Sequence, residues 1–108
     1  MPTGRANFML ERTGGGCLAL HGEVDMATVD LLARELAAES ERGEDVRLDL
    51  SHLAFIDIAG LWVFHEAAVK LGRAGCTLTL VSPPPAVPRM LALLGWTEIA
   101  SLRVEQPP

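Results

Sequence analysis

The stretch Val46-Arg47-Leu48-Asp49-Leu50-Ser51-His52-Leu53-Ala54-Phe55-Ile56-Asp57-Ile58-Ala59-Gly60-Leu61 constrains the fold more than any other part of the chain. An apolar run leads into an acidic residue, two small-to-medium residues and a glycine, and a helical pattern follows. That order spells a strand, a tight turn and the start of a helix. The turn places Asp57 to Gly60 where a helix N-terminus exposes unpaired backbone N–H groups. Such a place suits an acidic group or a phosphate. Asp57 has two compatible roles there. As a helix cap it accepts a backbone N–H, worth about 0.5–2 kcal/mol; as a surface charge it faces a partner. Gly60 permits either a close backbone approach or an unusual φ.

Around this segment strands and helices alternate. Phe8-Met9-Leu10-Glu11 and Cys17 to Val24 read as two strands of a hairpin joined by Thr13-Gly14-Gly15-Gly16. Asp25 to Thr28 precedes an amphipathic helix with Val29, Leu32, Ala33 and Leu36 on one face and Asp30, Arg34 and Glu39 elsewhere. Glu39 to Glu44 reads as a polar connection. A strand is predicted over Val46 to Leu50, a helix over Ala59 to Arg73, and a strand over Thr77 to Val81. Ser82-Pro83-Pro84-Pro85 is a rigid connector, and Pro88 fits the first turn of a helix over Ala86 to Leu94. Gly95 suits its C-terminal cap. Thr97 to Val104 holds a short last strand or an irregular end. The expectation is one α/β domain over residues 1–108, with a mixed four- to five-stranded sheet, helices packed against it, and frayed ends at 1–6 and 105–108.

Composition narrows the function classes. At 49% hydrophobic the chain can fill a core, and disorder is excluded. The net charge of −5 argues against non-specific binding to nucleic acid or to an anionic membrane surface. Aromatic residues are few and tyrosine is absent, so a base-stacking platform is not expected. No apolar run is long enough to span a bilayer, and the first residues lack a signal-peptide core, so the cytoplasm is the expected compartment.

Catalytic and metal chemistry find little support. Cys17 and Cys76 read as small buried hydrophobes in a reduced compartment, with a redox pair as the alternative. The glycines at 14–16 lack the Lys-Ser/Thr pair and following helix of a phosphate loop. His21, His52 and His65 are scattered, with no carboxylate–histidine spacing for a metal. Ser51 and His52 are neighbours on an extended segment and should point opposite ways. No cofactor is expected.

Three stretches together resemble the STAS domain family, shared by anti-sigma factor antagonists and the cytoplasmic ends of sulfate transporters. Gly22-Glu23-Val24-Asp25-Met26-Ala27-Thr28 resembles the segment from strand to first helix. Leu48-Asp49-Leu50-Ser51 through Phe55-Ile56-Asp57-Ile58-Ala59-Gly60-Leu61 resembles the family signature. Leu80-Val81-Ser82-Pro83 through Val87, Arg89-Met90-Leu91 and Leu94-Gly95-Trp96 resembles the last strand and helix. The resemblance implies bacterial partner switching, in which the antagonist binds an ATP-using serine kinase of the anti-sigma type and frees a sigma factor. The kinase phosphorylates a serine or threonine directly after the signature aspartate. That position is Ile58 here, followed by Ala59. Neither side chain can accept a phosphate or mimic one. A relocated switch would need another hydroxyl, such as Ser51 or Ser82.

The expected partner-binding face combines Glu23, Asp25 and Thr28 with Asp57, Ile58, Ala59 and Gly60, and with Trp62 and Glu66 on the exposed side of the second helix. Asp25 is either a cap before the first helix or part of an acidic loop. Ile58 is either a permanently unmodified contact or packing in a diverged scaffold. Trp62 lies off the apolar face of Leu61, Phe64, Ala68 and Leu71, and reads either as an interface anchor or as packing beneath a loop. Helix 86–96 has Arg89 as its sole charge, so Met90, Leu93 or Trp96 could form a patch for self-association, unless the proline connector covers it. The reading is a non-catalytic regulator acting by protein–protein binding. Its alternatives are a structural or adaptor subunit of a stressosome-like or transporter-associated complex, and a small-ligand sensor.

Overall fold

Strands and helices follow the predicted order in a computed structural model, which describes residues 3–5 and 7–106. The strands are β1 (Thr3–Arg5), β2 (Phe8–Gly14), β3 (Cys17–Val24), β4 (Val46–Ile56), β5 (Leu78–Val81) and β6 (Leu102–Glu105). The helices are α1 (Val29–Ser40), α2 (Ile58–Arg73) and α3 (Ala86–Leu93), and Trp96–Glu98 form a 3₁₀ turn.

The sheet is mixed, and its strand order equals the chain order. The pairs β1–β2 and β2–β3 are antiparallel; β3–β4, β4–β5 and β5–β6 are parallel. One helix joins each parallel pair. Right-handed crossovers then put all three helices on one face. Burial follows the pleat: Leu48, Leu50, Leu78 and Leu80 are fully enclosed, while Arg47 and Asp49 on the opposite face reach solvent. The helix layer meets the sheet through Leu32 and Leu36 of α1, through Leu61, Phe64, Ala68 and Leu71 of α2, and through Val87 and Leu91 of α3. The α2 residues are the face that the heptad-like spacing predicts. Gly95 ends α3 in the left-handed region at φ 74°, as a C-terminal cap requires.

Several expectations are corrected. The sheet has six strands because Thr3–Arg5 pairs with Phe8–Leu10 at one edge. At the other end Glu105 belongs to β6, and the Ser82 N–H donates to its carbonyl oxygen at 2.8 Å. The frayed ends expected at 1–6 and 105–108 are therefore paired at 3–5 and 105, while Met1, Pro2, Ala6, Pro107 and Pro108 lie outside the described residues. Strand β4 continues past Leu50 to Ile56 because it keeps pairing with β3 through two register shifts. Ala19 faces Asp49 but His21 faces His52; Gly22 faces Leu53 but Glu23 faces Phe55. The extra residue in β4 at each shift breaks the two-residue alternation. Ser51 and His52 consequently share the exposed side, and Ser51 Oγ lies 3.2 Å from His52 Nδ1. The same shift sets His52 against His21, with stacked rings 4.8 Å apart, so two of the three histidines are neighbours.

Helix α1 runs on to Ser40, and Glu39 is buried. The Arg12 guanidinium of β2 pairs with the Glu39 carboxylate, and Ser40 Oγ donates to the Leu36 carbonyl at 2.7 Å. These contacts turn an expected polar connection into helix. In α3 the apolar surplus is mostly used internally. Trp96 is buried, Met90 and Leu94 pack partly against the core, and Leu93 alone of the expected patch is largely exposed, at 78%. Both cysteines are free and only partly buried, and Cys76 Sγ donates to the Gly43 carbonyl at 3.1 Å.

Candidate functional site

Two loops meet at the carboxyl end of β3 and β4. Val24 pairs with Ile56, and the Asp57 N–H donates to the Val24 carbonyl at 3.1 Å. The loop 25–28 and the turn 57–60 therefore lie side by side. Asp57 has extended backbone angles (φ −94°, ψ 179°), and its Oδ1 accepts the Gly60 N–H at 3.0 Å. Asp57 is thus the N-cap of α2, and its carboxylate is turned inward to the helix start. Gly60 has no positive φ. Its lack of a side chain is required by packing: a Cβ there would sit 2.6 Å from Ile56 Cγ1 and 2.8 Å from Val24 Cγ1. The close-approach reading of Gly60 holds.

The neighbouring loop is tied by its own side chains. Thr28 Oγ1 donates to the Glu23 carbonyl at 2.8 Å and accepts the Asp25 N–H at 3.0 Å, while Asp25 Oδ1 accepts the Ala27 N–H at 2.9 Å. Thr28 is only 5% exposed. It shapes the loop from within. Asp25 caps the turn ahead of the helix and remains partly exposed, as does Glu23.

Large apolar side chains are exposed in and beside the two loops. Met26 is 90% exposed, Phe55 52%, Ile58 49% and Trp62 47%. Ala59 is exposed beside Ile58, and Glu66 reaches solvent one turn beyond Trp62. Single exposed apolar residues are ordinary, and these four all lie in the segments flanking the ends of β3 and β4. The sequence reading singles out Ile58 and Trp62 and passes over Met26 and Phe55. Met26 was visible as a lone large apolar residue in a polar loop. Phe55 was not, because its outward direction depends on the second register shift in β4.

Trp62 is half-packed. Its indole meets Trp96 at 4.8 Å between ring centroids and His65 at 5.1 Å, and His65 lies 4.6 Å from Trp96. Trp62 is thus bedded on the 3₁₀ turn, as the packing reading expects, and about half of it stays exposed.

The sequence profile described as the Mlab-type STAS domain matches residues 9–104. This chain belongs to the STAS domain family. Two curated relatives agree. The anti-sigma-B factor antagonist of Bacillus subtilis is 26% identical over 81 residues, 75% of this chain and 74% of that protein. BtrV of Bordetella bronchiseptica, placed by its name among anti-sigma factor antagonists, is 36% identical over 81 residues, 74% of this chain and 70% of that protein. An anti-sigma factor antagonist from Mycobacterium paratuberculosis superposes with a TM-score of 0.70 at 25% identity, covering 89% of this chain and 83% of that one. SpoIIAA in its unphosphorylated form shares the fold with a TM-score of 0.70 at 15% identity, covering 94% of this chain and 89% of that one.

In this STAS domain the turn reads Asp57-Ile58-Ala59-Gly60, with no hydroxyl at either central position. The sheet face away from the helices carries paired charged groups. Arg47 crosses β5 to make a bidentate pair with Glu105 at 2.8 and 2.9 Å, which holds the Glu105 carboxyl below its usual range. Partial burial works against charge on Asp49, but the N–H and hydroxyl of Ser51 and the nearby His52 and His21 rings outweigh it and lower that carboxyl too. Among the described residues no helix is long and apolar enough to cross a membrane.

Proposed function

We propose that this STAS domain is a non-catalytic cytoplasmic regulator of the anti-sigma factor antagonist type, and that its partner is an ATP-using anti-sigma kinase. The observation that carries the reading is Ile58: it opens α2, directly after the capping Asp57, and is half exposed, as are Phe55 near the end of β4 and Trp62 one turn on in α2. In the family's partner switch this is where a phosphate arrives. A phosphate adds about −1.5 to −2 charge units and opposes docking by repulsion and desolvation. Ile58 and Ala59 cannot receive it, so the docking face stays in its unmodified form. The direct contacts are Glu23, Asp25, Ile58, Ala59, Trp62 and Glu66. Asp57, Gly60 and Thr28 act by holding the two loops in place. The names of the relatives support the same class of partner.

The test is affinity capture from a lysate of the source organism with wild type and Ile58→Asp, read by mass spectrometry. A kinase-like ATPase held by wild type and lost by the variant supports the antagonist. Transporter or scaffold proteins held equally by both overturn it in favour of an adaptor subunit, for which a turn that cannot be phosphorylated is equally suited.

A further inference from the structure

A groove of about 390 Å³ runs between α1 and α2. That volume lies in the range of small-molecule sites. Its walls include Ala33 and Ala37 of α1 and Ala67 of α2, and such short side chains leave the space between the helices unfilled. Leu36 and Ala67 are buried beneath it. Trp62 stands near one end and Arg73 at the other, eleven residues along α2, or about 16 Å of helix. The groove is thus long and mostly apolar.

Its charge is placed at one end. Lys70 reaches across the seam, with Nζ 3.2 Å from the Glu41 carboxylate and 3.5 Å from the Ala37 carbonyl. Arg73, on the last turn of α2, is exposed and has no acidic partner among the described residues. Glu66 also lines the groove, one turn from Trp62, and would turn an anionic head toward Arg73. A guanidinium matches a carboxylate in a forked, two-point geometry.

We infer that the α1–α2 groove binds a free single-chain carboxylate, with its head at Arg73 and Lys70 and its chain running along the alanines toward Trp62. The net charge of −5 disfavours an anionic bilayer as the source of such a ligand. A nucleotide lacks its usual partners here, since the groove has one half-packed indole and no glycine-rich loop beside it. The site is separate from the Asp57–Gly60 turn and touches the proposed docking face only at Trp62 and Glu66.

The probe is decanoate, titrated below its micelle concentration into the full chain and followed by calorimetry and tryptophan fluorescence. Parallel titrations use 1-decanol, propionate and vesicles of anionic phospholipid. The expected result is saturable one-to-one binding of decanoate, at least tenfold tighter than 1-decanol and propionate, with a raised Tm. Arg73→Gln should weaken it about tenfold and leave the Tm of the free protein unchanged. Ala37→Leu should abolish it by filling the groove; where that variant loses its fold, Arg73→Gln and the 1-decanol comparison decide. No saturation with decanoate, equal binding of 1-decanol, indifference to Arg73→Gln, or binding to vesicles alone each overturns the proposal.

Discussion

The indole of Trp62 stands edge-on to that of Trp96, with centroids 4.8 Å apart and planes inclined by 71°. That contact joins the middle of the proposed docking face to the 3₁₀ turn after α3. An edge-to-face aromatic pair contributes about 0.5–1.5 kcal/mol beyond area burial. Trp62→Ala should therefore lower unfolding free energy by about 1–2 kcal/mol in urea denaturation, and weaken partner binding by about 1 kcal/mol or more. Lost stability with unchanged binding would make Trp62 a packing residue alone.

Gly60→Ala sets two effects against each other. Alanine is favoured over glycine inside a helix by about 0.8–1.0 kcal/mol. Here the new methyl group meets Ile56 and Val24 at 2.6 and 2.8 Å, and overpacking costs about 1–3 kcal/mol. The clash should win, because both contacted side chains are pinned at the ends of paired strands. Denaturant titration should show a net loss of about 1–2 kcal/mol; a gain would mean that β3 and α2 part easily.

Acid should remove a defined piece of stability. Glu105 and Asp49 both have folded-state pKa values below their ordinary ones. Carboxylates of this kind stabilise the fold fully above their unfolded values, near about pH 4, and lose that contribution as pH falls through the folded values. The urea midpoint should fall between pH 5 and 2. Arg47→Met should flatten that decline, since it removes the partner that lowers Glu105. Parallel pH curves for wild type and variant would contradict the assignment.

Much of the fold was legible because hydrophobic period and turn chemistry agree. The α2 face, the Asp57 cap and the Gly95 cap follow from local rules that packing does not override. The misses are places where a distant partner decides. Glu39 looks solvent-facing until Arg12, on another element, meets it. Thr3–Arg5 becomes a strand only because β2 offers an edge. Ser51 and His52 point the same way because β4 gains a residue against β3, which alternation in one strand cannot reveal.

The candidate site was half visible. The position of Ile58 follows from the spacing of Asp57 and Gly60. The roles inside the neighbouring loop do not, since Thr28 could equally have faced a partner until its hydroxyl was seen bonded to the Glu23 carbonyl. Trp62 looked free of the core because its contact with Trp96 is made across 34 residues of sequence.

The central claim is that docking at the Asp57–Gly60 turn escapes phosphate control. The most direct measurement is the Kd of the captured kinase for wild type, Ile58→Ser and Ile58→Asp, before and after incubation with ATP. The account predicts that wild type keeps its affinity in ATP, that Ile58→Ser starts comparable and loses affinity as it gains phosphate, and that Ile58→Asp is weak throughout. Loss of wild-type affinity in ATP, or equal binding by all three proteins under both conditions, would contradict it.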